Sequence, residues 1–263
     1  MKNFLLVLLT IVSVIFLILG NIYWNEKANL TLNTSPDNSE EATNSDSKEE
    51  VTQHSDNHDY SSAISNWPEE AQDRFMKAVN NQTPYKIAVV GSQALGSDVF
   101  GWSVQVKQSI EENFNSDVVV QIIEYEGTST DFLDSIEKEE VVDMQPDLVL
   151  FEPFSLNDNS NIISPEQNHL NIDDFYDQLK KANQDVELLL QPTHPLDDAT
   201  IYPRQVEELR SYAEEKGFTY LNHWTAWPED ETLREYLSET QDTPNELGHQ
   251  IWAEYITDYF ISD

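Results

Sequence analysis

From residue 85 onward, short apolar runs alternate with amphipathic stretches, and this alternation limits the possible folds of the chain more than any other feature. The runs are YKIAVVG (85–91), DVVVQIIEYEG (117–127), PDLVLFEP (146–153), DVELLLQP (185–192) and FTYLNHW (218–224). The first four close on glycine or proline. Continuous apolar, β-branched segments of this length read as strands buried on both faces, the condition of a parallel sheet. Helical patterns separate them: 103–114, 129–144, 165–184 and 203–217, with a lead-in helix at 68–79 and a last helix at 243–260. Strands joined through helices need right-handed crossovers with helices on both faces of the sheet. The expectation is an α/β fold, a three-layer α/β/α sandwich around a five-stranded parallel sheet. Ligand-handling residues in such sheets lie beyond the C-terminal strand ends, here in the loops starting near Gly91, Gly127, Pro153, Pro192 and Asn222.

Ahead of this domain, residues 4–24 are free of charge and contain FLLVLLTIVSVIFLILG. At about 1.5 Å per residue the stretch spans a hydrocarbon core of roughly 30 Å. It predicts a signal anchor or transmembrane helix over 1–24, with Tyr23 and Trp24 at the interface and Lys2 on the cytoplasmic side. A cleaved signal peptide, with a secreted product, is the rival reading. Residues 25–66 are rich in Asn, Ser, Thr, Asp and Glu and predict a disordered acidic tether. Its HSDNH stretch holds His54 and His58, a poor metal candidate. Residues 67–263 form the folded domain, expected on the extracellular side of the cell membrane on a single-pass anchor.

Charge narrows the partners. The chain has 49 acidic and 14 basic side chains, a formal charge of −35, and no cysteine. Phosphate neutralisation needs a basic face, so nucleic acid is excluded as a partner and anionic lipid cannot be held by a polybasic patch. Disulfides and Cys-ligated metals are impossible, and no motif calls for a cofactor.

The strand ends carry the chemistry. The first runs into Val90-Gly91-Ser92-Gln93-Ala94-Leu95-Gly96, the second into Gly127-Thr128-Ser129, the third into Glu152-Pro153-Phe154-Ser155-Leu156-Asn157-Asp158. A serine at a strand-to-helix turn, a glycine N–H and an Asn amide suit a nucleophile with two oxyanion donors. The arrangement resembles the SGNH/GDSL hydrolases, esterases, lipases and polysaccharide deacetylases with a flavodoxin-like sandwich. Ser92 and Gly96 keep the spacing of the family's Gly-Asp-Ser-Leu block, Gly127 matches the second block and Asn157 the Asn of Gly-x-Asn-Asp. The Pro-Asn-x-x-Gly-His tail of the last block is present as Pro244, Asn245, Gly248 and His249.

The same block departs from the family where its catalytic Asp and His belong: Thr240 and Thr243 stand there. Serine hydrolysis without a base loses on the order of 10⁴ in rate. Thr243 also fits a capping box with Glu246, with Pro244 at the first helical position. His194, past the fourth strand, and His223, at the end of the fifth, are the substitute bases on offer. His249 is expected on the face of the last helix rather than in the crevice. Among the acids, Glu152 and Asp242 could face or orient site groups, and Asp158 fixes its loop. Trp102, Trp224, Trp227 and Trp252 read first as core and second as a sugar-binding face.

Two functions follow from the resemblance. One is a membrane-tethered extracytoplasmic serine esterase that removes O-acyl groups from a cell-envelope or exported polysaccharide or a small ester. Its site would be Ser92, Gly127, Asn157 and one of His223 and His194. The alternative is a catalytically impaired carbohydrate-binding or polysaccharide-assembly protein of the same fold.

Overall fold

A computed structural model of the chain describes residues 60–262. Five strands form one sheet: β1 (Tyr85–Gly91), β2 (Val118–Glu124), β3 (Leu148–Phe151), β4 (Glu187–Leu190) and β5 (Thr219–Tyr220). Their order is β2-β1-β3-β4-β5 and every pairing is parallel. This is the α/β/α sandwich expected from the alternation.

The helices among the described residues are α1 (Glu69–Asn80), α2 (Trp102–Phe114), α3 (Ser129–Phe132), α4 (Ile136–Met144), α5 (Ser155–Ser160), α6 (Pro165–Ala182), α7 (Tyr202–Lys216) and α8 (Glu246–Phe260). The period-two alternation of β1 sends its side chains to both layers. Ile87 and Val89 join a core with Phe75 of α1, Ile110 of α2 and Trp252 of α8. Ala88 and Val90 join a second core with Val141 of α4, Phe175 of α6 and Leu209 of α7. β1 is therefore covered on both faces, which is why its sequence is apolar throughout.

Three local expectations are corrected. The helix expected over 129–144 is two helices, because Ser135 turns out of the first and accepts from the Lys138 N–H at 3.1 Å as a new N-cap. The last helix starts at Glu246 and not at Pro244: Asn245 is its N-cap, accepting from the N–H groups of Leu247 (2.9 Å) and Gly248 (3.2 Å). The packed unit also takes in residues before Trp67. Tyr60 and Ile64 are buried against Phe75 and Phe114.

The membrane reading is corrected as well. No helix among the described residues is long and apolar enough to cross a membrane. The 18-residue α6 carries Glu166, Asp173, Asp174, Asp177, Lys180 and Lys181, charges that a hydrocarbon core would not accept. The stretch 4–24, where the transmembrane helix and signal anchor were expected, and the tether histidines His54 and His58 lie outside the described residues. Membrane tethering, the membrane as a partner and a single-pass cell-membrane location are therefore not carried forward.

Candidate functional site

The C-terminal edge of the sheet brings together the loops after β1, β2, β3 and β4. β1 ends at Gly91, where a Cβ would lie 2.8 Å from the Glu152 Cβ. Only glycine lets the Glu152 side chain lie against the strand end. Glu152 is fully buried. Its carboxylate accepts the Ser92 N–H at 2.8 Å and a short hydrogen bond from the Thr193 hydroxyl. Burial pushes this carboxyl above its ordinary range, opposed by the hydrogen bonds from Thr193 and Ser92.

Ser92 itself is 2% exposed. Its Oγ caps the short 3-10 turn Gln93–Leu95, accepting from the Ala94 N–H at 3.3 Å. Two donors beside the serine are also engaged. The Ser92 N–H is held by Glu152, and the Asn157 Nδ2 donates to the Gly127 carbonyl at 2.7 Å. At Gly127 a Cβ would meet the Tyr125 ring at 2.5 Å, so that glycine makes room for an aromatic side chain. Behind it, Asp158 is buried and ties the β2 and β3 loops together. It accepts from the Ser129 N–H (2.8 Å) and hydroxyl (2.5 Å) and from the Asn168 amide (2.7 Å). Burial raises its pKa, and the Ser129 and Asn168 hydrogen bonds oppose the rise.

The two candidate bases lie deep in the same edge. His223 stacks on Trp252 with ring centroids 4.0 Å apart. Its Nδ1 accepts from the Trp227 indole at 3.0 Å and its Nε2–H donates to the Pro192 carbonyl at 2.9 Å. Both ring nitrogens are used, and burial lowers the ring pKa to about 3. The His194 Nε2–H donates to the Gln241 carbonyl at 2.9 Å, while its Nδ1 is buried without a partner among the described residues. Burial takes this ring to about 4. Neither ring is hydrogen-bonded to Ser92, so both are neutral groups without a link to the serine. Gln241, which holds His194, has φ of +62°, and Phe154 at the start of α5 has φ of +58°. Left-handed backbone at non-glycine residues is uncommon and gathers at sites.

The open space lies elsewhere along this edge. A cavity of about 410 Å³ is walled by Gln93, Gly96, Asp98, Glu124, Thr243 and His249, among others. The loop after β1 thus presents half-buried Gln93 to the cavity while Ser92 stays beneath it. Glu124 reaches the cavity because it ends β2 in register with Gly91. His249 reaches it from the first turn of α8, with Nδ1 accepting the Trp102 N–H at 3.3 Å. Sequence reasoning missed Gln93, Glu124 and His249. Taking Asn245 as the N-cap would have put His249 in the first turn, beside the strand ends. The tryptophans divide: Trp102 and Trp252 stack in the core at 4.7 Å. Buried Trp227 and half-buried Trp224 both line a second cavity of about 390 Å³. No group of three or more His, Asp or Glu side chains among the described residues is placed to hold a metal.

The model of the GDSL-like lipase/acylhydrolase family matches residues 87–251. Solved structures share the fold at low identity. The lipase Lip_vut3 from a goat rumen metagenome is 12% identical, with a TM-score of 0.54 over 67% of this chain and 97% of its own. The psychrotrophic esterase EstA from Pseudoalteromonas sp. is 16% identical, with a TM-score of 0.52 over 66% and 95%. A carbohydrate esterase family 3 protein from Talaromyces cellulolyticus is 14% identical, with a TM-score of 0.55 over 66% and 94%. No curated protein matches the chain.

Proposed function

The chain belongs to the GDSL-like lipase/acylhydrolase family, and from that premise we propose that it serves as a saccharide-binding module of the family that does not turn over esters. Membership by itself supports hydrolase or esterase-like activity in general. The observation that carries the proposal is the state of Ser92. It is 2% exposed, its N–H is taken by the Glu152 carboxylate at 2.8 Å, and no histidine is hydrogen-bonded to it.

A hydroxyl nucleophile needs a base in reach and a position from which to meet a carbonyl. An oxyanion needs donors aimed at empty space. Ser92 has no open access and no histidine base, and the Asn157 amide gives one N–H to the Gly127 carbonyl. Thr243 fills the position of the family's histidine and Thr240 that of its aspartate, and neither side chain is a base at neutral pH. Gln93, the residue after Ser92, is one of the residues that line the cavity. Glutamine and threonine can hold a ligand through hydrogen bonds without attacking it.

The second reading is an O-acyl esterase with Ser92 as nucleophile, Gly127 and Asn157 as oxyanion donors and His194 or His223 as base. Family membership favours it. Hydrolysis of p-nitrophenyl acetate separates the two. The binding module hydrolyses it no faster than the Ser92→Ala variant does. A wild-type rate at least a hundredfold above that variant would establish the esterase.

A further inference from the structure

We propose that the cavity bounded by Gln93, Thr243 and His249 binds a saccharide that carries a free amine. This rests on the reading of the domain as a binding module and names the ligand class of the same crevice. At about 410 Å³ the cavity is of small-ligand size. It holds polar groups of both kinds that the protein leaves unpaired. One Glu124 carboxylate oxygen is enclosed and has no hydrogen-bond partner among the described residues. His249 is 9% exposed. Its Nδ1 accepts from Trp102, so the neutral ring carries its proton on Nε2, which has no acceptor among the described residues. Buried polar groups in native proteins are ordinarily paired. Here the missing partner is a donor for Glu124; the His249 Nε2–H is a further donor at the cavity wall.

Charge selects the donor. Burial raises the Glu124 pKa, and the nearby charges of Glu126 and Asp98 raise it further. Glu246 adds a fourth carboxylate close by, and no lysine or arginine lines the cavity. An ammonium group relieves this repulsion, and an anion adds to it. The acceptor is a sugar hydroxyl or ring oxygen facing His249. The Gln93 amide and Thr243 hydroxyl, which make no side-chain hydrogen bond among the described residues, can pair with further hydroxyls. Gly96 keeps the ring edge in place: its φ is +70°, and a Cβ there would come 2.9 Å from the His249 Cε1.

Calorimetry on the full chain tests this, with a glucosamine trimer and its fully N-acetylated counterpart as probes. The amine form is expected to bind at least tenfold more tightly. Glu124→Gln, with an unchanged thermal melt, should remove most of that preference. Asp98→Asn, at an exposed position, should reduce it severalfold without disturbing the fold. Equal binding of the two trimers, no heat from either at millimolar sugar, or an unchanged preference in both variants would overturn the proposal. The p-nitrophenyl acetate assay on the same samples reports separately. Hydrolysis there refutes the silent-site reading, whereas loss of amine preference refutes only the ligand class.

Discussion

The loops after β4 and β5 and the loops after β1 and β2 end at the same edge of the sheet, yet His223 on the first side and His249 on the second are finished in opposite ways. On the β4–β5 side, His223 lies flat on Trp252 with both nitrogens engaged, and the Thr193 hydroxyl closes on Glu152. On the β1–β2 side, His249 and Glu124 each leave one polar atom unpaired at a cavity wall. A histidine with every hydrogen bond made and a stacked face is part of the core. A histidine with one bond open to a cavity can still meet a ligand. The difference marks His223 as a core residue and leaves His249 free for the recognition proposed above, although both residues suit catalysis in a sequence.

The sharpest way to break this contrast is His223→Ala. It empties a stacked core position and leaves the Trp227 N–H and the Pro192 carbonyl unpaired. Urea unfolding should show a loss of roughly 3 kcal/mol, with the β1–β2 cavity unaffected. A loss under about 1 kcal/mol would mean that this side is not the locked one. The pH dependence follows the same residues. The folded rings of His223 and His194 titrate near 3 and 4, below their ordinary 6.5. The folded state thus binds fewer protons than the unfolded chain, and stability should fall as pH drops below about 6.5 and continue falling to about 3.

Gly96→Ala tests the recognition side. It forces an L side chain into a φ of +70° and brings a Cβ within 2.7 Å of the Gly101 backbone. About 2 kcal/mol of stability should go, and amino-sugar binding should weaken as the His249 ring is pushed off the wall.

Glu152→Gln probes the joint between the two sides. The raised pKa of Glu152 means that the folded state holds its proton more tightly than the unfolded chain. The Glu152 contribution to wild-type stability should therefore fall as pH rises from the ordinary carboxylate range through the raised value, and stay flat above it, opposite in sign to the contribution of the two histidines. Asp158 shifts the same way, so the difference between wild type and Glu152→Gln isolates the Glu152 share. That difference should grow in favour of the variant as pH rises. Smallest of all is Ser92→Ala, which removes one cap and should cost about 1 kcal/mol, leaving sugar binding as it was.

The fold was readable because periodicity reports burial. β1 spans the full run YKIAVVG (85–91), and α7 stops at Gly217, which takes the left-handed conformation with φ of +75°. β5 is two residues long, Thr219–Tyr220, since FTYLNHW turns at Asn222 into a 3-10 turn. Parts of the site were readable as positions but not as states. Ser92, Gly127 and Asn157 do sit at three neighbouring strand ends. Burial of Ser92 beneath Glu152 depends on a contact between residues 60 apart in sequence, which no local pattern encodes. His249 was misplaced because Thr243 and Glu246 offered a plausible cap while Asn245 made the real one.

The central claim, that no activated nucleophile faces the crevice, is tested most directly by intact mass after exposure of the full chain to a fluorophosphonate. The expected result is an unmodified mass across neutral and alkaline pH. An adduct of one phosphonyl group that disappears in Ser92→Ala would contradict the account and restore the esterase.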